Sequence, residues 1–191
     1  MIKKNYLFFE ILIICLLLPT ILYANLNEKL IKKIEDTNTL SFEFKQKIAE
    51  KVEEGECIIK YSKLMRCDYN DKYKKRLISN GKTLVIIQRR YKKIFYYPLK
   101  TTPLYYILDK KYLIQFIKNN EVADINDKFI KYEIKEKNRK LIILFDRDTL
   151  NLKGWKTEDI YKKKVDFIID NLKINIPMDK NLFKIPDPDN L

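Results

Sequence analysis

From Leu40 onward, apolar and polar residues alternate with a period of two, and this rhythm restricts the possible folds more than any other feature of the chain. Leu40, Phe42 and Phe44 alternate with Ser41, Glu43 and Lys45, and the pattern returns at 57–60, 65–69, 75–79, 83–88, 92–97, 129–135, 141–146, 150–155, 160–169 and 183–185. About ten short strands, each wet on one face, predict an antiparallel sheet made of successive hairpins. Glu54-Gly55, Asn80-Gly81, Asn138-Arg139 and Lys153-Gly154 read as its turns.

Two stretches follow a helical period instead. Leu26, Leu30, Ile31 and Ile34 fall on one face of a helix over 25–36. Between Pro98 and Asp127 the alternation stops; Thr102-Pro103 reads as a capped helix start, and Tyr112, Leu113, Phe116 and Ile117 continue at i, i+4 spacing. One or two helices are thus inserted in mid-sheet. A sheet with helices on one face must bury something between them, and periodicity does not distinguish a filled core from a pocket.

The N-terminus reads as an address. Lys3 and Lys4 precede the apolar run Ile11 to Leu18, which stops at Pro19 before Leu22-Tyr23-Ala24, so residues 1–24 are expected to be a secretory signal peptide and 25–191 one exported domain. Glu10 and Pro19 interrupt the run short of the ~20 residues a membrane span needs. Cys15 follows Ile13-Ile14 inside the run and is a poor lipid acceptor. Export would put Cys57 and Cys67 in an oxidising compartment, on either side of a turn at Tyr61-Ser62-Lys63-Leu64. They form a disulfide there or pack as two small apolar side chains.

Composition narrows the function. The chain has no His and only three Gly, which excludes a Ser-His or Cys-His nucleophile pair, a His-bearing zinc site and a glycine-rich phosphate loop. Asp146, Asp148, Glu158 and Asp159 are the dense carboxylates and read as solvated turn positions, so neither an enzyme nor a cofactor or metal is expected. The net charge of +13 is spread through the chain with acidic residues interleaved, as at Lys45, Lys47, Glu50, Lys51, Glu53 and Glu54, and no nucleic-acid motif accompanies it. No nucleic-acid partner is expected.

Several spaced segments resemble one family. Gly55 before a strand, Lys63-Leu64-Met65-Arg66-Cys67-Asp68-Tyr69, Leu77 to Leu84 with Asn80-Gly81, Tyr97-Pro98-Leu99, Thr101-Thr102-Pro103-Leu104, Leu150 to Trp155, Val165-Asp166-Phe167 and the closing Phe183-Lys184-Ile185-Pro186 are similar in order and spacing to the LolA family of periplasmic lipoprotein carriers. The resemblance implies a mainly β fold, an incomplete (half-open) antiparallel β-barrel of about 10–11 strands with helices as a lid over its hydrophobic concave face. It implies a soluble periplasmic chaperone, monomeric, with three partners: acylated lipoproteins, the inner-membrane ABC-type complex that releases them, and the outer-membrane receptor that accepts them. Acyl chains would then contact Leu30, Ile34, Phe42, Phe44, Met65, Cys67, Tyr69, Leu104 and Leu108.

One departure concerns the lid. The family commonly carries Arg-Pro before the Leu-Met segment, where the Arg holds lid carbonyls; Tyr61-Ser62 stands there. Either Tyr61 makes a weaker latch, with one donor where a guanidinium has five, or the lid rests more open. Lys60 and Arg66 are expected to face the other side of the sheet. Rival readings of the same fold are a LolB-like outer-membrane receptor, which would need a lipid anchor, and a periplasmic lipid-binding sensor, which would need a second domain.

Overall fold

The computed structural model describes residues 26–136, 139–158 and 162–187. The expected signal segment, Asp159 and Asn138 lie outside them. Strands β1 (Thr39–Ile48), β2 (Lys51–Lys60), β3 (Leu64–Tyr69), β4 (Lys75–Asn80), β5 (Thr83–Gln88) and β6 (Lys93–Pro98) form consecutive hairpins. So do β7 (Asp124–Ile125), β8 (Phe129–Glu136), β9 (Arg139–Asp146), β10 (Leu152–Glu158) and β11 (Lys164–Ile174). Pairing of β1 with β11 joins both runs into one antiparallel sheet of eleven strands, in the order β6-β5-β4-β3-β2-β1-β11-β10-β9-β8-β7.

The sheet does not close, and β6 and β7 are its two edges. The chain between them therefore has to travel from one edge to the other, and it carries α2 (Leu104–Leu108) and α3 (Lys110–Asn119) on the way. Together with α1, residues 26–36, these helices cover one face of the sheet. The alternation predicts this antiparallel sheet, and the family resemblance implies its open, lidded half-barrel form.

Amphipathic strands explain the layering. On β1, Leu40, Phe42 and Phe44 are buried while Glu43 and Lys45 are exposed. Inward residues of the strands meet Leu30 and Ile34 of α1, Ile107 and Leu108 of α2, and Leu113 and Ile117 of α3 in one apolar cluster. Each such side chain contributes about 1.5–3 kcal/mol on leaving water. A smaller cluster of Ile78, Val85 and Ile87 lies apart, with Ile94 and Ile185 packed on it. Near the C-terminal segment the Lys60 ammonium donates to the Met178 carbonyl at 2.8 Å, and the Arg66 guanidinium donates to Asp68 at 2.8 Å.

Three local expectations are corrected. Glu54-Gly55 and Lys153-Gly154 are not turns but lie within β2 and β10; the β1–β2 turn is Ala49-Glu50. Gly55 is there for space: a Cβ on it would stand 2.2 Å from the Asp68 carbonyl oxygen and 2.9 Å from the Phe44 ring. Asn80-Gly81 does turn the chain, with Gly81 at a φ of +96° and the Asn80 amide oxygen accepting the Lys82 and Thr83 N–H groups. Residues 183–185 are no strand. Pro177 and Pro186 bracket them and lack the N–H a ladder requires, and Asp179 caps a short 3-10 turn at Lys180–Phe183. Finally, Thr102 does not cap α2; its hydroxyl donates back to the Leu99 carbonyl at 2.9 Å, and the capping side chain in this region is Asp109, at the start of α3.

Candidate functional site: an apolar cavity beneath the lid

Between sheet and lid lies a cavity of about 310 Å³. Met65, Cys67 and Tyr69 of β3, Leu77 of β4 and Ile86 of β5 form one wall, and Trp155 of β10 with Val165 and Phe167 of β11 form the other. Pro103 and Leu104, at the entry to α2, complete the enclosure. An aromatic ladder runs between the walls: Tyr69 meets Phe44 edge-on with centroids 4.9 Å apart, Phe44 stacks on Phe167 at 4.7 Å, and Phe167 on Trp155 at 3.9 Å. Each such pair adds about 0.5–1.5 kcal/mol beyond its buried area, which makes this side of the cavity stiff. Met65 sits on the β3 wall, four residues from the Tyr69 end of the ladder. Its unbranched thioether lets that surface refit to differing occupants.

Cys57 and Cys67 stand opposite one another in the β2–β3 register, with Cα atoms 4.1 Å apart, and are joined by a disulfide. Because Cys67 lines the cavity, the bridge ties its wall to the neighbouring strand.

The residues that the sequence nominates divide into two groups. Met65, Cys67, Tyr69 and Leu104 line the cavity. Leu30, Ile34, Phe42, Phe44 and Leu108 are buried in the surrounding cluster, the helical ones packing lid onto sheet, and are not among the lining residues. Leu77, Ile86, Trp155, Val165 and Phe167, which the sequence does not nominate, line it as well. All five fall on alternating strands, and Trp155 is the chain's single tryptophan, so the signal was present in the inward phase of β4, β5, β10 and β11.

The mouth carries polar groups. Glu53 is buried between the ammonium groups of Lys51 and Lys75, the latter at 2.6 Å, and accepts from the Gln46 amide at 3.3 Å. Burial pushes its carboxyl up, but the two lysines outweigh burial and hold it below the usual range. Lys75 also lies 3.8 Å from the centre of the Tyr69 ring, and the Tyr69 hydroxyl donates to Gln46 at 3.1 Å.

The lid is fastened beside Leu108. The Lys63 N–H donates to the Leu108 carbonyl at 3.0 Å, and the Lys63 ammonium lies 3.0 Å from the Asp109 carboxylate. Burial pushes the Asp109 carboxyl up; the Lys63 ammonium, the Tyr112 N–H and the Tyr105 hydroxyl together hold it below its ordinary value. Lys110 donates to the Thr37 carbonyl at 2.9 Å and to that of Glu35, which ties α3 to the end of α1. Tyr61, nominated as the latch, takes another part: its N–H donates to the Asn38 carbonyl at 2.9 Å, and its ring packs on the apolar cluster with the Lys110 ammonium 5.8 Å from its centre. Among the described residues its hydroxyl makes no hydrogen bond to the lid; Lys63, two residues on, supplies the polar contact.

A family profile described as outer membrane lipoprotein carrier protein LolA matches residues 35–186. No curated protein sequence matches the chain significantly. Among solved structures, an uncharacterized conserved protein from Thermus thermophilus superposes with a TM-score of 0.52 at 8% identity, over 85% of this chain and 94% of that one. This likeness is one of fold alone. A LolA superfamily protein from Nitrosomonas europaea gives 0.44 at 8% identity over 86% and 98% of the two chains. A chain of the MucA/MucB complex of Pseudomonas aeruginosa gives 0.46 at 9% identity, over 84% of this chain and 60% of that one.

Proposed function

The chain belongs to the LolA family of outer membrane lipoprotein carrier proteins, and from that premise we propose that it shields the acyl chains of lipoproteins while they cross the periplasm. In this reading residues 1–24 direct export and are removed, and the domain from residue 25 acts in the periplasm as a single copy. It receives lipoproteins from an ABC-type releasing complex in the inner membrane and hands them to an outer-membrane receptor. No bond is made or broken; the work is binding and release.

The observation that supports this most is the apolar cavity between sheet and lid, enclosed by Met65, Tyr69, Leu104, Trp155 and Phe167. Each methylene moved from water into such a space gains about 0.8 kcal/mol, so exposed acyl chains need a cover of this kind. A volume of about 310 Å³ stands at the low end of ordinary ligand pockets, ~300–1,000 Å³. Cargo with more than one chain therefore has to displace the lid, whose fastening beside Leu108 is polar and reversible. Titration with a fluorescent fatty acid tests the reading: saturable binding that quenches Trp155 is expected, and absence of saturable binding would contradict it.

A further inference from the structure

We propose that the loop end of β5 and β6, beside the cavity mouth, docks the protein onto an anionic phospholipid surface. The proposal deepens the carrier reading and rests on it for its purpose, since it names the surface on which cargo is exchanged.

Three observations carry it. First, charge: from Lys82 to Leu108 the chain has cations at Lys82, Arg89, Arg90, Lys92, Lys93 and Lys100 and no carboxylate at all. Arg89, Arg90, Lys92 and Lys93 crowd the turn between β5 and β6, and none of them forms an ion pair among the described residues. The acidic group of the adjoining loop, Asp71, is turned onto the backbone N–H groups of Tyr73 and Lys75, while the Arg90 N–H donates to the Tyr73 carbonyl at 3.2 Å. Secondly, Tyr91 in the turn and Phe95, the third residue of β6, are 52 and 41% exposed. Thirdly, position: the cavity-lining residues Ile48, Tyr69 and Lys75 stand at the ends of β1, β3 and β4, and Lys75 pairs with Gln88, the last residue before the basic turn. A surface touched by this turn also faces the mouth.

The pairing of cations that form no ion pair among the described residues with exposed aromatic rings is the chemistry of a bilayer interface, where ammonium and guanidinium groups meet phosphate and aromatic rings lie at headgroup depth. A second copy of the chain fits less well. It would bring like charges face to face, and Lys93 and Pro98 on β6 discourage addition of another strand to that edge.

The test is co-sedimentation of the mature protein with vesicles of phosphatidylethanolamine and phosphatidylglycerol, set against phosphatidylcholine alone. Binding to the anionic vesicles only, weakened by salt, is expected. R89E/R90E should lower the partition coefficient by at least about ten-fold. Y91S should lower it several-fold with the salt dependence kept. Fatty-acid binding read through Trp155 should be unchanged in both variants, which shows that they are folded. Equal binding to neutral vesicles, no binding to either, indifference to R89E/R90E, or lipid-free self-association that R89E/R90E abolishes would overturn the proposal. Failure of the wild type to bind fatty acid while still sedimenting would instead strike the carrier reading and leave the docking surface standing.

Discussion

The Lys63 ammonium lies 3.0 Å from the Asp109 carboxylate, and this contact joins the turn between β2 and β3 to the capping residue of α3. The family resemblance implies an arginine latch at the position held by Tyr61; here the polar fastening falls on a lysine two residues further along. Lys63→Met removes the charge and keeps the stem. Asp109 is only 8% exposed, so losing its cation should cost about 1–3 kcal/mol, between the values for exposed and buried pairs. Faster hydrogen exchange confined to 104–119 is expected, with faster fatty-acid uptake. Uniformly faster exchange through the strands would show a general destabilisation instead of a released lid.

Met65→Glu places a carboxylate on the cavity wall, where it would be desolvated against Cys67 and Trp155. Acyl affinity should fall at least ten-fold at neutral pH and recover in part as the new carboxyl is protonated. Isothermal titration with a fatty acid measures both effects, and wild-type affinity in the variant would remove Met65 from the binding surface.

Gly55→Ala tests the close packing behind the cavity. The added methyl would meet the Asp68 carbonyl oxygen at 2.2 Å and the Phe44 ring at 2.9 Å, and backbone on one side cannot yield cheaply. A loss of about 1–3 kcal/mol is expected for such overpacking, a fall in Tm of about 2–4 °C per kcal/mol by calorimetry. A Phe44→Leu partner change should restore part of it.

Acid should loosen the mouth. The folded-state value of Glu53 lies below its ordinary one because Lys51 and Lys75 overcome its burial. Its contribution to stability is thus complete above the ordinary glutamate value, about 4.3, and is lost as pH falls through the depressed folded value. Thermal melts across this range should show a steeper acid slope for wild type than for Glu53→Gln, with the variant the less stable of the two at neutral pH.

Strands and lid were legible because a half-buried strand writes its face into alternate residues: Leu40, Phe42 and Phe44 suffice to orient β1. The glycines were misread for a physical reason. Gly55 and Gly154 look like turn residues in sequence, yet what each supplies is space beside a neighbouring backbone, at Asp68 and at Phe167. Neither the Lys63 latch nor the division between Met65 on the wall and Leu30 behind it was legible. The first depends on a contact across 46 positions of sequence, and cavity wall and packed core share one inward phase. The disulfide partners were visible as a pair, but whether their register aligned rested on a turn that one residue could have shifted.

The most direct test of the carrier account is native mass spectrometry of the protein isolated from the periplasm of cells that export it. The account expects acylated lipoprotein bound in near-stoichiometric amount in wild type and depleted in Met65→Glu. A protein recovered free of lipid that also leaves fatty acids and hydrophobic dyes unbound would contradict it, and would make the space beneath the lid part of an ordinary core.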